Sequence, residues 1–136
     1  MHSVLIVEDD VLIALDVEQA LATAGFDVCG IATSEAEAIE LGERFRPELA
    51  VVDINLSPGD GRVVAGLLHE RYATIVLFAT GQCGEVAGMH ATGAMACLPK
   101  PYRANIVPMA LDAVSRLADG DRSVDLPDSM FALAAA

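Results

Sequence analysis

Polar residues that could do chemistry follow several of the short apolar runs in this 136-residue chain. Glu8 and Asp9 follow the first run, Asp53 follows a central run, and Thr80 and Lys100 follow two later runs. A short apolar run bounded by turn residues is typical of a buried strand. The pattern therefore predicts carboxylates, a hydroxyl group and the only lysine of the chain at the ends of strands.

These residue types suit the handling of a phosphoryl group. Several carboxylates in one crevice repel each other, which raises their pKa values unless a positive charge lies among them. A hard divalent cation such as Mg²⁺ meets this need through oxygen ligands and also bridges to phosphate oxygens. An aspartate is able to accept a phosphoryl group as an aspartyl-phosphate. We therefore predict a Mg²⁺-dependent site with Asp53 as the nucleophile.

Apolar spacing predicts five strands that alternate with five helices over about the first 118 residues. The predicted strands cover residues 4–7, 27–32, 49–53, 74–79 and 94–99, and a helix follows each of them, the last over roughly 103–118. This alternation is typical of an α/β fold in which helices cover both faces of a parallel sheet. The carboxyl ends of parallel strands line one edge of the sheet, where ligands bind, so we expect the polar residues to be neighbours there.

Local signals refine the predicted helices. Ser34 and Glu37 match a capping box at the start of the second helix, and Asp10 is a candidate cap for the first. Four glycines in residues 81–93 predict a short, mobile fourth helix. Pro108 lies inside the last helical pattern and either kinks the helix or moves its start. The residues expected on the inner face of the third helix are Val63, Val64, Leu67 and Leu68.

Composition excludes several classes of partner. The net charge of −12, from 20 acids and 8 bases, argues against a nucleic-acid surface, because phosphate binding needs clustered Lys and Arg. No uncharged run is long enough for a membrane span, and the N-terminus does not read as a signal peptide, so we expect a cytoplasmic protein. Cys29, Cys83 and Cys97 lack metal-site spacing, and we expect buried or incidental thiols in a reducing compartment.

Four motifs around the polar residues resemble those of a known family: Val7-Glu8-Asp9-Asp10, Val52-Asp53-Ile54-Asn55-Leu56, Ala79-Thr80-Gly81 and Pro99-Lys100-Pro101-Tyr102. Together they resemble the CheY-like receiver domain of response regulators in two-component signalling, over about residues 3–118. The resemblance implies a flavodoxin-like, doubly wound parallel sheet of five strands in the order 2-1-3-4-5. We expect a receiver domain over residues 1–118 and a tail over 119–136, with no output domain.

The resemblance also implies a role for the acidic residues. Asp53 is the expected phosphoacceptor, which takes phosphate from a histidine of a sensor histidine kinase or of a histidine phosphotransfer protein. Asp9 is expected to bind Mg²⁺ directly and Glu8 to act through water. Asp53 and the backbone carbonyl of Asn55 would complete the set of protein ligands.

The remaining motif residues are expected to contact or surround the phosphoryl group. Thr80 and Lys100 would contact it, and Asn55 and Gln82 occupy positions that tune its lifetime. The run Phe78-Ala79-Thr80-Gly81 resembles a stand-alone subgroup of receivers from alphaproteobacteria. Gln82 replaces the apolar or aromatic residue that is usual in that subgroup.

One departure from the family pattern concerns the conformational switch. Many receivers place Tyr or Phe three residues before the lysine, and here that residue is Cys97. We therefore expect the switch to run through Thr80 and the glycine-rich segment 81–93. Tyr102 is the nearest aromatic residue, and we expect it to pack beside the last helix.

The expected output is a phosphorylation-controlled interaction. Phosphate on Asp53 would change binding of a protein partner to the face of the fourth helix, fifth strand and last helix, or would pass to a second histidine. One alternative is a metal-dependent phosphohydrolase, but position 55, where it needs a second acid, is Asn55. Another is a receiver-like scaffold that is never phosphorylated. Beyond self-phosphorylation and autodephosphorylation we expect no enzyme activity. The tail, residues 119–136, is a frayed end or a docking or homodimerisation segment.

Overall fold

The structure is a computed structural model that describes residues 2–85, 94–121, 123–127 and 130–132. Its strands are β1 (Ser3–Val7), β2 (Asp27–Ala32), β3 (Leu49–Val52), β4 (Ile75–Thr80), β5 (Ala94–Pro99) and β6 (Phe131–Ala132). Its α-helices are α1 (Val11–Thr23), α2 (Glu35–Phe45), α3 (Gly61–Tyr72) and α4 (Val107–Ala118), and 3₁₀ turns cover Cys83–Glu85 and Ala104–Ile106. The helix expected over 81–93 lies mostly outside the described residues, so it stays a prediction.

The strands form one sheet in the order β2-β1-β3-β4-β5-β6. The first five are parallel neighbours, which confirms the predicted order 2-1-3-4-5. Successive side chains of β1 point to opposite faces, so that Leu5 and Val7 join one apolar cluster and Val4 and Ile6 join another. Helices α2 and α3 cover the first cluster, while α1 and α4 cover the second.

The predicted helix signals act at the predicted places, with two changes in detail. Asp10 caps α1 by accepting from the amides of Leu12 and Ile13. Ser34 caps α2 by accepting from the amide of Glu37, whose own carboxylate turns to the amide of Thr33 and not to that of Ser34. The last helix begins at Val107, later than expected, with Pro108 in its first turn. A proline is accommodated there because the first-turn amides have no helical partner.

One residue expected on the inner face of α3 lies on its surface. Val63 is 45% exposed, and Ala65 is buried in its place. The buried positions of α3 are Gly61, Val64, Ala65 and Leu68, which follow the three-and-four spacing of a helix face. Val63 lies off that stripe.

The expectation of unpaired thiols is wrong for two of the three cysteines. Cys83 and Cys97 form a disulfide, with their Cα atoms 5.8 Å apart, and Cys29 is free. The two residues are 14 positions apart in a chain without a Cys-X-X-Cys motif. Only the pairing of β4 with β5 brings the turn after β4 beside Cys97.

The described part of the tail packs against the domain. Residues Phe131–Ala132 form an antiparallel sixth strand along β5, and Leu126 and Met130 join the apolar cluster under α4. A frayed end does not describe these residues. The tail covers an edge of β5 that would otherwise offer unpaired backbone groups. In the part of the chain that the structure describes, no helix has the length and apolar character to cross a membrane.

The packed tail predicts a stability difference between two methionines. Met130 is 8% exposed, whereas Met109 on α4 is 62% exposed. We expect Met130→Ala to lower the free energy of unfolding by about 2 kcal/mol, because it empties a buried site. Met109→Ala is the matched control and should change it by less than about 0.5 kcal/mol. Urea unfolding of both variants measures the difference, and equal effects would contradict the tail packing.

Candidate functional site

The backbone of the sheet places the expected site residues along one edge. Glu8 follows β1, Asp53 follows β3, Thr80 ends β4 and Lys100 follows β5. The amides of three of these residues continue the ladder of the sheet: Glu8 donates to Ala32 O, Asp53 to Val7 O and Lys100 to Thr80 O, each at 2.9 Å. The backbone positions of these three residues are therefore tied to the register of the five parallel strands.

Lys100 lies between two buried carboxylates. Its Nζ is 2.6 Å from Glu8 Oε1 and 2.7 Å from Asp53 Oδ2. The second oxygen of each acid accepts a backbone amide, from Asp10 at 3.3 Å for Glu8 and from Asn55 at 3.1 Å for Asp53. Both carboxylates are thus partnered although almost no water reaches them, which offsets the cost of their desolvation.

Burial and hydrogen bonding have opposite effects on the pKa of Glu8, and likewise on the pKa of Lys100. Burial raises the pKa of Glu8 to about 7, against the lowering effects of the hydrogen bonds from Lys100 and the Asp10 amide. Burial alone would lower the pKa of Lys100, but the hydrogen bonds to Asp53 and Glu8 outweigh it and raise that pKa. Lys100 is therefore held as a charged ammonium.

A third acid completes a group of oxygen ligands. Glu8, Asp9 and Asp53 each offer a carboxylate oxygen, and these atoms lie within 4.8 Å of one another. When all three carboxylates are ionised, the ammonium of Lys100 leaves two negative charges uncompensated, which one divalent cation would neutralise. An all-oxygen set of this kind suits Mg²⁺. The backbone amide of Asn55 donates to Asp53, so Asn55 adjoins this group. That its backbone carbonyl is a further metal ligand stays a prediction.

Gly61 is a site residue that the sequence did not single out. A Cβ atom on Gly61 would clash with the carbonyl oxygen of Asp53, and the Gly61 amide donates to Ile54 O at 2.8 Å. The start of α3 therefore packs directly against the backbone of Asp53. Glycine is a poor helix former, yet Gly61 is the first residue of α3, directly after the cap Asp60. A glycine at such a position was the one signal in the sequence that another part of the backbone comes close to it.

The loop before Gly61 is held by α2. Glu35 accepts the amide of Asp60 at 3.0 Å and donates its own amide to Pro58 O at 3.2 Å. Asp60 caps α3 through the amide of Arg62 and pairs with its guanidinium at 2.8 Å, and these interactions lower the pKa of Asp60. The connection from Asp53 to α3 is thus fixed at both ends.

Thr80 is fully buried, and its hydroxyl bonds within its own loop. Its Oγ1 accepts the amide of Gln82 at 3.3 Å, and Gln82 is half-buried. Cys83 begins the 3₁₀ turn that follows, and its Sγ lies 3.8 Å from the carbonyl oxygen of Thr80. The oxygen of the hydroxyl expected to contact a phosphoryl group therefore accepts the Gln82 amide, and its O–H is still a donor.

The two residues around the expected switch are both in packed surroundings. Tyr102 packs against the cluster that α1 and α4 cover, as the sequence predicts. Burial raises the pKa of its phenol to about 12, with a further contribution from the charge of Glu8, so Tyr102 is neutral. Cys97 is fully buried within β5 and is bonded to Cys83.

The sequence of this chain matches a known protein family. Residues 4–112 match the family described as "Response regulator receiver domain". "Transcriptional regulatory protein PdtaR" of Mycobacterium tuberculosis is 36% identical over 119 residues, which cover 85% of this chain and 58% of the relative. "Chemotaxis protein CheY" of Thermotoga maritima is 28% identical over 116 residues, which cover 83% of this chain and 97% of the relative. The chain thus spans little more than half the length of PdtaR.

Solved structures show the same fold. The solution structure of the PhyR response regulator REC domain from Erythrobacter litoralis superposes with a TM-score of 0.74 at 22% identity. The match covers 84% of this chain and 89% of that one. The five parallel strands and their helices are therefore shared with known receiver structures.

The close approach of Gly61 to Asp53 predicts opposite effects for two glycine substitutions in α3. Gly61→Ala should lower the free energy of unfolding by about 3 kcal/mol and weaken stabilisation by Mg²⁺, because the methyl group displaces Asp53. A methyl group on Gly66 would meet no atom within 4 Å, so Gly66→Ala should raise it by about 0.5 kcal/mol through helix propensity. Urea unfolding with and without Mg²⁺ measures both. Loss of stability in both variants would contradict a specific role for Gly61.

Proposed function

Because the chain belongs to the response regulator receiver family, we propose that Asp53 accepts a phosphoryl group from a phosphohistidine. The donor would be a sensor histidine kinase or a histidine phosphotransfer protein. The observation that carries this proposal is the buried carboxylate of Asp53, paired with Lys100 and grouped with Glu8 and Asp9 at the end of β3. A lone structural acid needs no such set of partners at a sheet edge where ligands bind.

The proposed reaction transfers a phosphoryl group from a histidine nitrogen to a carboxylate oxygen of Asp53. A carboxylate oxygen of Asp53 attacks the phosphorus atom, the P–N bond of the phosphohistidine breaks, and its electron pair leaves with the imidazole nitrogen, which takes up a proton. Lys100 holds its positive charge beside the attacked centre, where it offsets the charge that the new phosphoryl group brings. Thr80 accepts the Gln82 amide through Oγ1 and has its own O–H to donate to that group.

The acids at the site fit a magnesium ion. Glu8, Asp9 and Asp53, with the carbonyl of Asn55, would hold Mg²⁺, which would supply charge neutralisation for the phosphoryl oxygens. Asn55 is exposed and Gln82 is half-buried, and each is two residues after a predicted phosphoryl contact, Asp53 or Thr80. We propose that these two side chains set the lifetime of the acyl phosphate. An aspartate-based phosphohydrolase is not favoured, because residue 55 offers no second acid.

The proposed output is altered binding of a protein partner in the cytoplasm, with phosphate relay to a second histidine as a variant. The proposed face includes β5 and α4 and the segment before β5. Its described part contains a groove lined by Tyr102, Ile106, Met109 and Leu126, among others. Leu126 belongs to the tail, so a downstream partner, or a second copy of the chain in a homodimer, would meet the tail as well as α4.

A phosphorylation assay tests the proposal directly. The protein is incubated with Mg²⁺ and acetyl phosphate, and the product is examined by intact mass for an acid-stable, base-labile phosphoryl adduct. We expect the adduct on the wild type, none on Asp53→Asn and little without Mg²⁺. Asp10→Asn is the matched control, because Asn also caps a helix and position 10 is exposed, and it should keep the adduct.

Two results would overturn the proposal. An equal adduct on Asp53→Asn would move the acceptor elsewhere in the chain. Rapid multiple turnover of general phosphate esters would indicate a phosphohydrolase instead.

A further inference from the structure

Along the chain, both cysteines of the disulfide lie between Thr80 and Lys100, the two residues expected to contact the phosphoryl group. Cys83 is three residues after Thr80, and Cys97 is three residues before Lys100. We propose that Cys83 and Cys97 form a thiol–disulfide modification site. Its oxidation state decides whether the segment of residues 80–85, here called the Thr80 loop, changes conformation when Asp53 is phosphorylated. This inference rests on the proposed function of Asp53.

The loop side of the cross-link is short and directly joined to Thr80. Gln82 donates its amide to the Thr80 hydroxyl, and Cys83 Sγ lies against the Thr80 carbonyl. A turn of that hydroxyl towards Asp53 breaks its bond to the Gln82 amide unless residues 81–83 move with it. With Cys83 bonded covalently to Cys97, that movement is restricted.

The strand side of the cross-link is rigid. Cys97 is fully buried, and it is paired with Phe78 of β4 on one side and with Phe131 of β6 on the other. Because β5 is held by two neighbours at this position, the constraint from the disulfide falls on the loop. The oxidised form therefore favours the present arrangement of Thr80, and the reduced form leaves it free to follow the phosphoryl group.

The chemistry is reversible exchange with a cellular dithiol. A thiolate of the dithiol attacks Cys83 Sγ, the S–S bond breaks, and the Cys97 thiolate leaves and takes up a proton. The second thiol of the dithiol then displaces Cys83 as a thiol, and the dithiol ends as a disulfide. Cys83 is the expected point of attack, because it is 6% exposed and Cys97 is 0% exposed. In a reducing compartment, disulfides of this kind are typically transient and redox-sensing.

The first test needs no phosphorylation. Backbone hydrogen exchange is measured on the full chain, oxidised and after reduction with dithiothreitol. We expect the Gln82 amide to exchange on the order of tenfold faster after reduction, because the loop of residues 83–97 is no longer closed. Cys83→Ser should match the reduced protein in both buffers, and Cys29→Ser, which removes the free cysteine, should keep the redox dependence. Equal exchange of the wild type in both states would overturn the inference.

The second test adds acetyl phosphate and Mg²⁺ to the oxidised and reduced forms. We expect a phosphoryl adduct on both, with a phosphorylation-dependent change in Gln82 exchange only on the reduced form. An equal change in both forms would overturn the inference. An absence of adduct in both forms would contradict the proposed function of Asp53, while the redox dependence of the first test would still support a modification site.

Discussion

The ammonium of Lys100 between Glu8 and Asp53 is the interaction on which this end of the molecule depends. Two carboxylates with almost no access to water would be costly to bury without a positive partner, since desolvation costs several kcal/mol per ion. Lys100 supplies that partner at 2.6 and 2.7 Å. Because the three residues follow β1, β3 and β5, the contact also joins the two outer strands of this group to the central one.

The same arrangement leaves a residual charge that suits a ligand. The carboxylates of Glu8, Asp9 and Asp53 outnumber the one ammonium of Lys100 by two. They lie at the ends of parallel strands, where such sheets offer a crevice for ligands. The backbone behind Asp53 has little room to adjust, because α3 packs on it through Gly61 and α2 holds the preceding loop. On the other side of the site, the hydroxyl of Thr80 accepts the Gln82 amide.

Cys97 is the position where the site, the sheet edge and the tail meet. In many receivers an aromatic residue there moves inward, and in this chain a buried cysteine joins the strand to the loop after Thr80. On its other side, the tail adds a sixth strand, so that β5 is an inner strand at this point. Position 97 therefore carries a covalent bond to the loop and a strand pairing with the tail instead of an aromatic ring.

The sequence by itself determined the strands, the α/β class, the strand-end positions of the site residues and the caps at Asp10 and Ser34. These follow from apolar periodicity and from turn and cap preferences, which act over a few residues. Residue chemistry at the strand ends indicated Asp53 as the nucleophile and a Mg²⁺ site, and the strand order and the individual roles of Glu8, Asn55 and Gln82 came from the resemblance in four motifs. Val63 shows the limit of periodicity, because one residue of angular error moves a side chain off the buried stripe of a helix.

Only the tertiary structure decided the approach of Gly61 to Asp53, the bond between Cys83 and Cys97, and the pairing of Phe131–Ala132 with β5. Each of these joins segments whose separation in space depends on how whole elements pack. Neither a glycine in a first helical turn nor two cysteines 14 residues apart specify a partner by their own spacing. The site of Lys100, Glu8 and Asp53 depends on both sequence and tertiary structure. The sequence shows which of its residues are charged. Their contact exists because strand register brings three distant residues within hydrogen-bonding distance.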